Sequence, residues 1–151
     1  MDVIVEIPKL LTPAECRALI ELSESMGFEP APIASGYKGP RGFRAPEGRD
    51  NHRAALHDEA IASLLWTRAK RHVPRELEGR CALGLNERLR FYRYDAGQSF
   101  LAHTDGYHRR EDGAQSLLTF MVYLNEDFEG GETAFTDTGR VFQPETGTAL
   151  L

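Results

Sequence analysis

Arg90-Phe91-Tyr92-Arg93-Tyr94-Asp95-Ala96-Gly97-Gln98-Ser99-Phe100-Leu101-Ala102-His103-Thr104-Asp105-Gly106 is the stretch on which the reading of this chain turns. It runs as a strand, a glycine turn, then a histidine and a carboxylate two residues apart. On an extended backbone, positions i and i+2 point to the same face. His103 and Asp105 therefore offer an imidazole and a carboxylate to one point in space. A second histidine from elsewhere would complete a two-histidine, one-carboxylate facial triad, a metal site with open positions. A His-x-Asp pair alone arises readily by chance, so its meaning rests on its surroundings.

Upstream, Leu89 and Phe91 take one strand face and Arg90, Tyr92 and Tyr94 the other. A face so polar and aromatic fits the lining of a ligand-holding barrel. It fits a wet outer surface equally well. Downstream, Leu118, Phe120, Val122 and Leu124 form an apolar face, with Leu117, Thr119, Met121, Tyr123 and Asn125 opposite. Leu117 to Asn125 thus reads as a central strand, buried or half-buried on both faces. Glu129-Gly130-Gly131-Glu132 is a turn, and short strands are expected at Thr133 to Phe135, Val141-Phe142 and Thr148 to Leu151. Short strands between turn signals indicate an all-β sandwich or barrel. The apolar run at the C-terminus suggests a domain truncated in its last strands, with an open sheet edge there.

The first half reads differently. Val3 to Ile7 alternates as a short strand. Thr12-Pro13-Ala14-Glu15 carries a capping box with proline at the first helical position, and the spacing predicts a helix over 13–26 stopped by Gly27. Leu11 and Cys16 are placed to form a hydrophobic staple. A second helix is expected over 58–72, ended by Pro74. Residues 29–55 lack clear periodicity and read as one long irregular connection. Arg49-Asp50-Asn51-His52-Arg53 within it is either a solvated charged loop or a substrate-facing one. The whole is one domain, 1–151, with helical support over about 1–80 and a β core over about 81–151.

Composition excludes some classes. Of 151 residues, 41% are apolar and 27% charged, as in ordinary globular domains. A net charge of -5 gives no electrostatic footprint for nucleic acid. No apolar run reaches membrane-span length, and Met1 to Glu6 has no leader pattern. Cys16 and Cys81 stand in no ligand or redox spacing. The expectation is a cytoplasmic protein with reduced cysteines, binding neither nucleic acid nor membrane.

The motifs together resemble a known family. Arg93-Tyr94-x-x-Gly97-x-x-Phe100-x-x-His103-x-Asp105, then Leu118-Thr119-Phe120, Tyr123-Leu124-Asn125, Phe128-x-Gly130-Gly131-Glu132-Thr133 and Pro144-x-x-Gly147-x-Ala149-Leu150 resemble the prolyl 4-hydroxylase-like branch of the Fe(II)/2-oxoglutarate oxygenases. The resemblance implies a double-stranded β-helix, or jelly roll, with supporting N-terminal helices. It implies His103 and Asp105 as iron ligands, and Tyr94, Tyr123 and Thr133 as contacts for 2-oxoglutarate. Taken alone, the two tyrosines read equally as strand aromatics and Thr133 as a strand former. The implied cofactors are Fe(II) and 2-oxoglutarate, with ascorbate a further candidate. The implied substrate is a prolyl or related side chain of a peptide or protein. The family's distal histidine and its basic anchor for 2-oxoglutarate fall beyond Leu151, so neither has a counterpart among these residues.

The leading expectation is a 2-oxoglutarate-dependent dioxygenase whose 151-residue part is inactive by itself. A non-catalytic binding domain that keeps the fold is the second reading. A cupin-like metalloprotein is the third, and it would not need Gly-Gly-Glu-Thr after Tyr-Leu-Asn.

Overall fold

Thr12 begins the first helix as its sequence requires. Its hydroxyl accepts the Glu15 backbone N–H, and the Glu15 carboxylate accepts the Thr12 N–H, closing the capping box. The computed structural model describes residues 4–31 and 48–151. Among these, β1 (Glu6–Ile7) precedes helix α1 (Pro13–Met26), and β2 (Glu29–Pro30) and β3 (His52–His57) lie between α1 and helix α2 (Glu59–Ala69). Beyond α2 come β4 (Glu76–Leu77), β5 (Arg80–Cys81), β6 (Arg88–Arg93), β7 (Met121–Val122), β8 (Thr133–Phe135), β9 (Arg140–Phe142) and β10 (Ala149–Leu150). Every strand pair is antiparallel, as expected of the β core.

One sheet runs β1-β10-β7 and a second β2-β3-β6, with hairpins β4-β5 and β8-β9. Helices α1 and α2 cover the first sheet. Ile7, Leu10, Leu11, Cys16, Leu65, Ala69 and Ala149 form the buried cluster, and Val5, Leu19, Ile61, Phe120, Val122 and Leu124 pack against it. Each buried leucine contributes about 1.5–3 kcal/mol relative to an exposed one. Leu11 and Cys16 meet in this cluster, as the staple requires. A bidentate fork joins the helices: Arg68 donates to both oxygens of Glu15 at 2.7 and 2.8 Å, and to the Leu10 carbonyl at 3.0 Å.

Four expectations need correction. Residues 29–55 are not irregular throughout. Strand β3 pairs with β6 from His52↔Arg93 to His57↔Arg88, so the support over about 1–80 contains sheet as well as helix. The second helix ends at Ala69, short of His72. Of Leu117 to Asn125 only Met121–Val122 is strand, because β10 pairs only there. Finally, the C-terminal run is not an unpaired edge. Strand β10 lies between β1 and β7, and Leu151 exchanges both backbone bonds with Val5 at 2.9 Å.

Gly147 locks this arrangement. Its φ is +82°, its N–H donates to the Tyr123 carbonyl at 2.8 Å, and its carbonyl accepts the Leu11 N–H at 3.1 Å. A Cβ there would lie 2.0 Å from the Leu11 carbonyl oxygen.

Candidate metal centre

Strand β6 ends at Arg93, and the chain turns at Asp95–Gln98. The Gln98 N–H donates to the Asp95 carbonyl, and the Asp95 N–H to the Gln98 side chain. Gly97 has φ +82°, a conformation that glycine adopts at no steric cost. Phe100 then bridges Arg49, and the Leu101 N–H donates to the Gly48 carbonyl at 2.8 Å. From Leu101 to Phe120 the chain forms no strand, so His103 and Asp105 do not sit on a ladder. An ion pair between Arg110 and Glu87 ties the excursion back to the start of β6.

The two side chains nonetheless converge. His103 Nε2 lies 3.2 Å from Asp105 Oδ1. The other ring nitrogen, Nδ1, stands 2.8 Å from the Leu101 carbonyl, an acceptor only, so Nδ1 carries the proton. Nε2 of the neutral ring then presents a lone pair toward a carboxylate oxygen. Two such atoms repel unless a cation lies between them, either a proton on Nε2 or a metal ion bound by both. Two donors bound at right angles, with bonds of about 2.1 Å, stand about 3 Å apart. The donor set and its spacing therefore fit a divalent ion. The backbone acceptor behind the imidazole is the usual partner of a metal-ligating histidine.

Behind His103 is an aromatic stack. The Phe100 and His103 rings lie 3.7 Å apart, 18° from parallel. The Arg49 guanidinium sits over Phe100 at 4.3 Å and over Tyr92 at 4.5 Å, and its Nε donates to Asn51 Oδ1 at 2.9 Å. Asn51 is buried, and its amide donates to the His52 carbonyl. Tyr94 is 47% exposed. Packing against its covered side pushes the phenol up, and the Arg49 charge opposes this more weakly.

Tyr123 and Thr133 form a separate pair. The Tyr123 hydroxyl donates to Thr133 Oγ1 at 2.6 Å. Burial raises the phenol, and the bond to Thr133 acts the other way. Thr133 opens β8 one residue after the Gly130-Gly131 pair, whose φ are +78° and +76°. The candidate site residues thus make two contacts, His103 with Asp105 and Tyr123 with Thr133. A shallow concavity lined by Ile7, Leu10, Thr67, Arg68 and Arg71 shares no residue with them. Among the described residues no third histidine, cysteine or carboxylate joins His103 and Asp105.

Thr119 is a site residue that the sequence reading does not single out. Its hydroxyl donates to Asp105 Oδ2 at 2.5 Å. Alternation along 117–125 places it on one face with Tyr123, which is the available signal.

Residues 89–151 match the profile of the 2OG-Fe(II) oxygenase superfamily. The chain is 27% identical over 132 residues to prolyl 4-hydroxylase 13 of Arabidopsis thaliana, covering 85% of this chain and 46% of that protein. It resembles the prolyl 4-hydroxylase-like 2OG-Fe(II) oxygenases. It is also 30% identical over 144 residues to a PKHD-type hydroxylase of Methylobacterium nodulans, covering 89% and 60%. Over 41 residues it is 44% identical to a putative prolyl 4-hydroxylase of Acanthamoeba polyphaga mimivirus, covering 27% and 17%. The chain thus spans between 17% and 60% of the length of these relatives. No solved structure matches it. Among the described residues no helix is long and apolar enough to cross a membrane.

Proposed function

We propose that this chain carries the metal-binding part of a 2-oxoglutarate-dependent dioxygenase, built on a jelly-roll fold, that hydroxylates a prolyl or related side chain of a peptide or protein. The observation that carries it is the pair His103 Nε2 and Asp105 Oδ1, 3.2 Å apart within the motif that the oxygenase profile covers. The prolyl 4-hydroxylase names among the relatives support the substrate class.

In this reading His103 and Asp105 hold Fe(II), and Tyr94, Tyr123 and Thr133 receive 2-oxoglutarate. When bound, the metal and the keto acid would activate O2, one oxygen atom passing to succinate as 2-oxoglutarate loses CO2 and the other to the hydroxylated side chain. The protein's part is to orient and shield. The Leu101 carbonyl keeps the Nδ1 proton of His103 in place, leaving Nε2 free as a donor. Phe100 covers one face of the imidazole and excludes water from it. The Tyr123 hydroxyl donates to Thr133 Oγ1, which leaves the Thr133 proton to donate to a carboxylate oxygen.

Two donors bind a metal ion less tightly than three. These residues alone are therefore expected to bind Fe(II) weakly and release little succinate. The test is anaerobic titration of Fe(II) and 2-oxoglutarate into the chain, followed by oxygen and a succinate assay. Weak metal binding that His103→Ala abolishes is the expected result. Strong turnover would show that a third ligand lies within these residues. Absence of any His103-dependent metal binding would remove the proposal and leave a non-catalytic binding domain.

A further inference from the structure

We propose that Thr119 is a positioning residue that sets Asp105 as a one-oxygen metal ligand, an inference that rests on the metal reading of His103 and Asp105. The Asp105 side chain is 53% exposed and lies on a segment without strand pairing. A carboxylate so placed samples several rotamers. Two contacts restrain it, and they use different oxygens. Oδ2 accepts the Thr119 hydroxyl at 2.5 Å, across fourteen residues of chain. Oδ1 is the atom 3.2 Å from His103 Nε2. The hydroxyl thus occupies the oxygen that points away from the imidazole and turns the other toward it.

Thr119 is itself well placed to hold a loop. The next residues, Phe120 and Val122, pack against the buried cluster, and β7 begins at Met121. The bond therefore fastens the irregular excursion to the sheet. It also sets Asp105 relative to Tyr123, four residues further along, whose hydroxyl meets Thr133. With one lone pair of Oδ2 taken by the hydroxyl, Oδ1 is the less occupied donor of Asp105 and the one nearer His103.

The test uses Co(II) as the metal, titrated into the chain by calorimetry and followed by its visible spectrum. Only the binding that His103→Ala abolishes is counted. Thr119→Val keeps the shape and loses the hydroxyl, while Thr119→Ser keeps the hydroxyl and loses a methyl. Thr119→Val is expected to weaken Co(II) binding about 10–100-fold, the usual loss when a ligand's hydrogen-bond partner is removed, and to change the Co(II) band shape. Thr119→Ser is expected to restore both, with circular dichroism unchanged in either variant. Wild-type affinity and spectrum in Thr119→Val, with His103-dependent binding intact, would overturn the role of Thr119 alone. Equal loss in both variants would assign the effect to packing and overturn it too. No His103-dependent binding in the wild type would overturn the metal reading and this inference with it.

Discussion

Gly147 shows how one backbone conformation can hold two elements together. It accepts from Leu11, donates to Tyr123, and leaves no room for a side chain against the Leu11 carbonyl. Gly147→Ala combines a left-handed backbone penalty of about 1–2 kcal/mol with displacement of the turn entering α1. The expected outcome is a loss above about 3 kcal/mol, read as a shift of the urea midpoint, or failure to fold. Gly97 has nearly the same φ, but nothing lies within 4 Å of where its Cβ would stand. Gly97→Ala should therefore cost only the backbone term, about 1–2 kcal/mol. The same measurement on both variants separates strain from collision. Gly97 and Gly147 are both motif residues in the sequence, and only packing distinguishes them, since the Leu11 carbonyl is far away along the chain.

At the scale of elements, what could be read depended on whether the cause was local. Helix α1 was legible to the residue because its signals, Thr12, Pro13, Glu15 and Gly27, lie within it or at its ends. Strand β3 was not. Its sequence, His52 to His57, has two alanines where large apolar residues would mark a period, and its identity comes from pairing with β6. Along 117–125 the alternation was clear, yet the regular strand shrank to the residues that β10 reaches. The candidate site divides the same way. The two-residue spacing pointed to His103 and Asp105, and the motif to Tyr123 and Thr133. The Leu101 carbonyl, the Arg49 stack and the Thr119 bond are contacts that spacing does not encode.

The α1–α2 fork carries a pH prediction. The Arg68 guanidinium beside Glu15, aided by the Thr12 backbone N–H, holds its carboxyl down at about 2, from 4.5. The folded chain therefore binds fewer protons than the unfolded one in that range. The resulting stability is fully present above about pH 4.5 and is lost as pH falls toward 2. Glu87 and Glu126 are lowered as well, the first mainly by a backbone hydrogen bond and the second by the Thr146 N–H. Glu15→Gln retains an acceptor for the helix cap and removes the charge. Its melting temperature should lie below that of the wild type at pH 6, and the gap should narrow between pH 4.5 and 2. A constant gap across that range would refute the assignment. Both side chains keep about a third of their surface in water, so added salt should also narrow the gap.

For the whole molecule, the position of β10 has a kinetic consequence. Among the described residues, β10 is the middle strand of its sheet, and β1, far earlier in the sequence, pairs with it alone. Backbone bonds between Val5 and Leu151 close a loop that runs through both helices and both larger sheets. Contacts of such separation slow folding, because closure entropy is lost before they form. During synthesis, β1 emerges from the ribosome well before β10, its partner. The β3–β6 ladder, by contrast, is complete once Arg93 is free. Nascent chains stalled at increasing lengths should show a first step of protection for β3 and β6. The amides of Val5 and Leu151 should gain protection only after β10 is released, so that translation speed sets how long that apolar face stays exposed to chaperones.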